Sequence, residues 1–164
     1  MARTPRLLYL ESSFWNRLVG PASDPRRRDS FHLLRLARRH HQISVSPLVI
    51  GELDATPDPI ARRRLRRWIA SEKPRRLSLV RETHNLASSL LAAGVWGQRK
   101  RHDMTHLACA ILSGAWAVVS WDTGDLACPE TRTVLMHLAR KCKFHAPLIG
   151  TPPEVVSWLT KSTS

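Results

Sequence analysis

Short apolar runs alternate with amphipathic stretches along the chain, and the alternation predicts its elements. Residues 7–10, Leu-Leu-Tyr-Leu, predict a first strand, with Glu11-Ser12-Ser13 directly at its C-terminal end. Residues 14–20 predict a short helix or turn closed by Gly20, and a loop follows over 21–24. Asp24 caps a second helix with Pro25 in its first position. It runs to about residue 41, with Phe31, Leu33, Leu34, Leu36 and Ala37 inward and arginines outward. Residues 42–46 alternate as a strand, ended by Pro47.

From Pro47 a short helix carries Leu48, Val49, Ile50, Glu52 and Leu53; its apolar character implies burial, and a glutamate in that setting needs a partner. Thr56-Pro57-Asp58-Pro59 is a capping turn into a very basic helix over 60–70. Residues 77–80 predict a weak strand, 83–93 an amphipathic helix ended by Gly94, and 95–100 a loop. The stretch 100–125 holds a helix opened by Asp103, with apolar residues at 104, 107, 108, 111 and 112, and Gly114 where a C-terminal cap belongs. Residues 115–119 then predict a strand buried on both faces of a parallel sheet, followed by Asp122. Residues 129–142 predict a helix, 147–150 a last strand, and Thr151 the cap of a final helix that frays over 160–164. The order predicts one α/β domain, 1–164: a three-layer α/β/α sandwich around a central parallel sheet of roughly five strands.

Charge narrows the partners. There are 26 Lys and Arg against 13 Asp and Glu, a net charge of +13, which favours a polyanion such as nucleic acid over a neutral ligand. The arginines of 60–70 are equally compatible with a solvated face and with phosphate contact. Three unclustered cysteines argue against a disulfide framework and fit a reducing compartment. No leader-like or membrane-length apolar run stands out, so the expectation is a cytoplasmic protein away from membranes.

In a basic chain an acidic pocket is the exception, and four acids are placed to make one. Glu11 follows the first strand, Glu52 lies on the helix after the second, Asp103 begins a helix, and Asp122 follows the fourth strand. Carboxyl ends of strands in an open α/β sheet face the ligand crevice, so Asp122 points there by topology, whereas Asp103 joins only through the fold. Converging carboxylates need a counter-cation, and Mg²⁺ or another hard divalent ion with oxygen ligands supplies it. Taken singly, each acid is as well explained by a helix cap or a surface ion pair.

The motifs Tyr9-Leu10-Glu11-Ser12-Ser13, Ser44-Val45-Ser46-Pro47-Leu48-Val49-Ile50-Gly51-Glu52, Asp103-Met104-Thr105-His106-Leu107-Ala108-Cys109-Ala110 and Val119-Ser120-Trp121-Asp122, with Thr151-Pro152-Pro153-Glu154 near the end, cover nearly the whole chain. In that order and spacing the chain resembles PIN-domain ribonucleases, most closely the branch similar to VapC-type toxins of toxin–antitoxin pairs. The resemblance implies a five-stranded parallel sheet and a metal-dependent endoribonuclease that hydrolyses RNA with metal-activated water. It further implies a homodimer and a neutralising antitoxin. Carried over by position, Glu11, Glu52 and Asp103 match the acids that bind Mg²⁺ or Mn²⁺, and Asp122 matches the fourth acidic or amide position. Ser13 and Ser120 match small hydroxyl residues that orient ligands or water. The chain departs from the pattern in having glutamate at 11, where aspartate is commoner, and Asp122 with Asp125 where the branch has an asparagine and a histidine.

Arg99 and Lys100, just before the Asp103 helix, are placed as substrate contacts. His106, one turn from Asp103, either touches substrate or a neighbouring carboxylate or is bonded inside its helix face. Cys128, His137, Cys142 and His145 have zinc-ligand types at a spacing that fits no zinc pattern. The six tryptophans are too scattered for a stacking platform, and Trp96, among basic residues, is the one to test for RNA contact. The competing functions are a non-catalytic RNA-binding module of the same fold and a nuclease acting on DNA.

Overall fold

The structure is a computed structural model that describes residues 4–94 and 98–161. Five parallel strands, β1 (Leu7–Leu10), β2 (Gln42–Val45), β3 (Arg75–Arg76), β4 (Ala117–Val119) and β5 (Leu148–Gly150), lie in the order β3-β2-β1-β4-β5. Eight α-helices join or follow them among the described residues: α1 (Ser12–Leu18), α2 (Pro25–His40), α3 (Pro47–Asp54), α4 (Pro59–Glu72), α5 (Arg81–Ala93), α6 (Arg101–Leu112), α7 (Pro129–Cys142) and α8 (Pro152–Lys161). Leu8 and Leu10 of β1 and Val118 and Val119 of β4 are fully buried, as the centre of a sheet covered on both faces requires.

The strand order decides where the layers lie. From β1 the chain steps outward to β2 and β3, then returns across β1 to β4 and β5. Parallel crossovers are right-handed, so connections running in opposite directions cover opposite faces. That places α1 to α4 on one face and α5 to α7 on the other; α8 packs against α2, and α5 against α6. The reversal falls between β1 and β4, whose ends are aligned with Leu10 beside Val119. The residues that follow, Glu11 and Ser120, therefore emerge side by side at the switch point, where open α/β sheets bind ligands.

Local chemistry sets most helix starts. The Asp24 and Asp58 carboxylates accept the Arg26 and Ile60 amides, each at 2.9 Å, and the Ser46 hydroxyl accepts the Val49 amide at 3.4 Å. In each case the next residue is a proline, whose missing N–H and fixed φ suit the first helical position. Glu154 reaches back to the Thr151 amide and hydroxyl, both at 2.8 Å, to fix the start of α8. Gly114 just past α6 has φ of 69°, the left-handed turn that ends the helix cheaply only with glycine.

Two expected elements differ. The strand expected over 77–80 joins the ladder only by the Leu77 amide, which donates to the Val45 carbonyl at 2.9 Å; β3 is the preceding pair Arg75–Arg76, paired with Ser44 and Val45, and both arginines are exposed. Asp103 does not open its helix. A 3-10 turn, Gln98–Lys100, leads directly into α6 at Arg101, and Asp103 sits inside the first turn. Thr160 and Lys161, expected to fray, continue α8; 162–164 and Trp96 lie outside the described residues.

Candidate active site

Glu11 is the first residue past β1 and caps α1 with its own carboxylate. Its Oε2 accepts the Ser13 amide at 3.1 Å and the Ser120 hydroxyl at 2.9 Å, together with the Ser13 hydroxyl, and its Oε1 accepts the Ser12 hydroxyl. These donors come from the ends of both switch-point strands, so the carboxylate is locked where β1 and β4 diverge. Ser13 and Ser120 thus orient Glu11, and each also steadies the following loop: Ser13 accepts the Trp121 amide at 2.8 Å and Ser120 the Asp122 amide at 2.9 Å. The Trp121 indole in turn donates to Ser30 of α2 at 2.9 Å.

Glu52 reaches the same place from α3. One ligand atom each from Glu11, Glu52 and His106 lies within 4.8 Å of the other two. His106 Nε2 is 3.3 Å from Glu52 Oε1 in hydrogen-bond geometry. Oε2 is 3.2 Å from the same nitrogen but off the bond direction, and it is buried without a hydrogen-bond partner among the described residues. Burial pushes the Glu52 carboxyl up, but the hydrogen bond from His106, with Ser12 and His102, outweighs it and holds the group below its ordinary value.

Asp103 and Asp122 lie beside this group and outside the 4.8 Å cluster. Asp103 is raised to about 6, chiefly by burial; Lys100 opposes the rise and the charges of Asp122 and Asp125 add to it. Lys100 is nearly buried, with its Nζ 2.6 Å from Asp125 and 3.8 Å from Asp103. Its ammonium is therefore committed to neighbouring acids, while Arg99 stays exposed. Asp122 Oδ1 accepts the Asp125 amide at 3.0 Å, which folds the loop so that Asp125 meets Lys100. The acids form one connected patch: Glu52 stands beside Glu11 in the 4.8 Å cluster, Glu11 is linked to Asp122 through Ser120, and Asp122 to Asp103 through Asp125 and Lys100.

Ser12, Tyr9, Ser46 and Asp125 belong to this patch without having been singled out as site residues. Tyr9 had a usable signal, since residues two apart on a strand share a face and it precedes Glu11 by two. A depression of about 530 Å³ lies elsewhere, lined by Leu34, Arg38, Gln42, Lys73 and Arg75 among others. Gln42 and Arg75 begin their strands, so it opens at the opposite end of the sheet from the acids.

No family model matches the chain, and no curated protein matches it by sequence. Solved structures do resemble it. The crystal structure of VapC20 from Mycobacterium tuberculosis, a sarcin-ricin loop cleaving toxin, is 20% identical with a TM-score of 0.57, over 71% of this chain and 90% of that one. VapBC2 from Rickettsia felis, bound to a DNA fragment from its promoter, is 13% identical with a TM-score of 0.56, over 76% of this chain and 94% of that one. At such identities the similarity is one of architecture, and it agrees with the five parallel strands and their flanking helices. The chain has a VapC-like PIN-domain fold.

Proposed function

We propose that this protein is a divalent-metal-dependent endoribonuclease, the toxin of a toxin–antitoxin pair, with Glu11, Glu52, Asp103 and Asp122 as its metal-holding acids. The observation that carries the reading is the convergence of Glu11, Glu52 and His106 at the switch point of a chain with net charge +13. The donor set fits a cation. It is dominated by carboxylate oxygens, and Glu52 Oε2 is a buried acceptor with nothing donating to it among the described residues. Carboxylate oxygens suit Mg²⁺ and Mn²⁺ alike.

A divalent ion bound there supplies Lewis-acid charge for the scissile phosphate and lowers the pKa of an attacking water. The chain's own residues do the rest. The serine hydroxyls hold Glu11 in one orientation, and Lys100 keeps Asp103 and Asp125 from repelling one another. Arg99 and the exposed Arg63, Arg64 and Arg67 of α4 attract the phosphate backbone without reading sequence. Likeness to VapC20 and VapBC2 favours RNA as substrate and an antitoxin as partner; a homodimer completes the proposal. No helix among the described residues is long and apolar enough to cross a membrane.

The test is incubation of labelled RNA and single-stranded DNA with and without Mn²⁺, with Asp103→Asn as the control. Metal-dependent cleavage of RNA, lost in the variant, is expected. Equal cleavage by the variant contradicts the assignment, retention of RNA without cleavage selects the non-catalytic module, and cleavage of DNA alone selects the third function.

A further inference from the structure

A buried polar chain crosses the core beneath the acids. The Ser46 hydroxyl is 2.7 Å from the Tyr9 hydroxyl, which is 2.7 Å from His106 Nδ1; His106 Nε2 then meets Glu52 Oε1 at 3.3 Å. Ser46 and Tyr9 are fully buried and His106 is 2% exposed. Each participant sits on an element that carries an acid. Tyr9 is on β1 before Glu11, Ser46 caps α3 with Glu52, and His106 is one turn past Asp103 on α6.

The donor count runs in one direction. A carboxylate only accepts, so the ring hydrogen facing Glu52 is on Nε2, and Nδ1 is left to accept from the Tyr9 hydroxyl. The Tyr9 oxygen then accepts from Ser46, and the Ser46 oxygen accepts the Val49 amide at 3.4 Å. The hydroxyls of Ser46 and Tyr9 and both ring nitrogens of His106 are all engaged, which makes the chain rigid, whereas removing one member strands a buried partner.

We propose that Tyr9 and His106 are positioning residues that hold the Glu52 carboxylate against Glu11, and thereby tie β1, α3 and α6 together at the site. Hydrophobic side chains would fill the same core volume, but they could not orient a carboxylate. Glu52 needs that hold because α3 is an eight-residue helix with only Val49 and Leu53 fully in the core. The role rests on the nuclease reading for its catalytic consequence, while its geometry is tested separately.

The experiment compares wild type with Tyr9→Phe, His106→Gln and His106→Ala, all checked by melting. Ring-nitrogen NMR on the metal-free protein is expected to show the His106 hydrogen on Nε2, with the Nδ1 resonance displaced in Tyr9→Phe. Mn²⁺ affinity is expected to fall about tenfold in His106→Ala and less in Tyr9→Phe, and to recover in part in His106→Gln, whose amide still donates to Glu52. If Tyr9→Phe fails to fold, the His106 pair carries the test, because a purely structural role would not be rescued at the metal by Gln. Mn²⁺ affinities within twofold of wild type in all folded variants, with wild type still cleaving RNA, overturn the bridge and spare the nuclease. Electron spin-echo modulation from a ring nitrogen bonded to Mn²⁺ also overturns it, making His106 a ligand. A wild type that binds no Mn²⁺ and cuts no RNA overturns the nuclease reading and the bridge's purpose with it.

Discussion

Replacing Asp103 with asparagine should make the metal-free protein more stable while abolishing its activity. The Asp103 carboxyl is raised from its ordinary 3.8 to about 6, first by burial, with Lys100 pulling it down and Asp122 and Asp125 pushing it up. An elevation of that size corresponds to about 3 kcal/mol of disfavour for the ionised form, so a neutral isostere should gain roughly 1–3 kcal/mol. The sign fixes the pH window. In the unfolded chain the group ionises near 3.8, whereas the folded chain keeps the proton until about 6. Across that interval the folded state binds more protons, and wild-type stability falls as pH rises. Asp103→Asn should therefore match wild type below 3.8, pull ahead between 3.8 and about 6, and keep its full advantage above. Thermal melts in EDTA should show a gain of about 2–4 °C per kcal/mol at neutral pH for a chain of this length. Saturating Mn²⁺ should reverse the ranking, since only wild type has the carboxylate to use it. A variant less stable than wild type in EDTA at neutral pH, or an advantage that persists unchanged below 3.8, would refute the account of Asp103 as a charge held at a cost for function.

Lys100→Met should lower metal-free stability at neutral pH by about 1–3 kcal/mol in denaturant titrations. It strands Asp103 in a half-buried site, while Asp125, exposed, rehydrates. Added Mn²⁺ should recover more stability in this variant than in wild type. Glu154 is held down to about 2, chiefly by its paired hydrogen bonds of 2.8 and 3.0 Å from Arg132. Its contribution is therefore present above the usual 4.5 and lost as pH falls toward 2. Glu154→Gln should cost about 1 kcal/mol at neutral pH, discounted because the pair is partly solvated, and nothing near pH 2. At Gly150 an added Cβ would stand 2.5 and 2.8 Å from the Trp158 ring. Gly150→Ala should cost about 1–3 kcal/mol, with much of it restored by Trp158→Leu in the same chain.

The fold was legible where local chemistry decides it. Asp24-Pro25, Ser46-Pro47 and Asp58-Pro59 announce helix starts by themselves, and the apolar runs at 7–10 and 115–119 carry the two central strands. The third strand was not legible, because Arg75 and Arg76 are exposed at the sheet edge and take their extended form from pairing with Ser44 and Val45. The apolar alternation of Leu77 and Leu79 instead packs against the core beyond the ladder. Asp103 looked like a cap because it is the acid nearest the apolar periodicity, yet the 3-10 turn through Lys100 starts the helix earlier. At the site, Glu11 and Asp122 are marked by following strands. The pairing of His106 with Glu52 and Tyr9 spans 54 and 97 residues of sequence and is set by packing alone. Lys100 was visible as a basic residue near the acids, but only the fold shows it turned inward to Asp125.

The central claim is that separate elements bring acids together to hold one kind of cation. Mn²⁺ titration followed by electron paramagnetic resonance, on wild type, Glu11→Gln and Glu52→Gln, tests it most directly. Saturable binding by wild type, weakened at least about tenfold in each variant while the melting behaviour in EDTA shows both folded, is the expected result. Equal Mn²⁺ affinity in all three proteins, or no saturable binding by wild type, would contradict it.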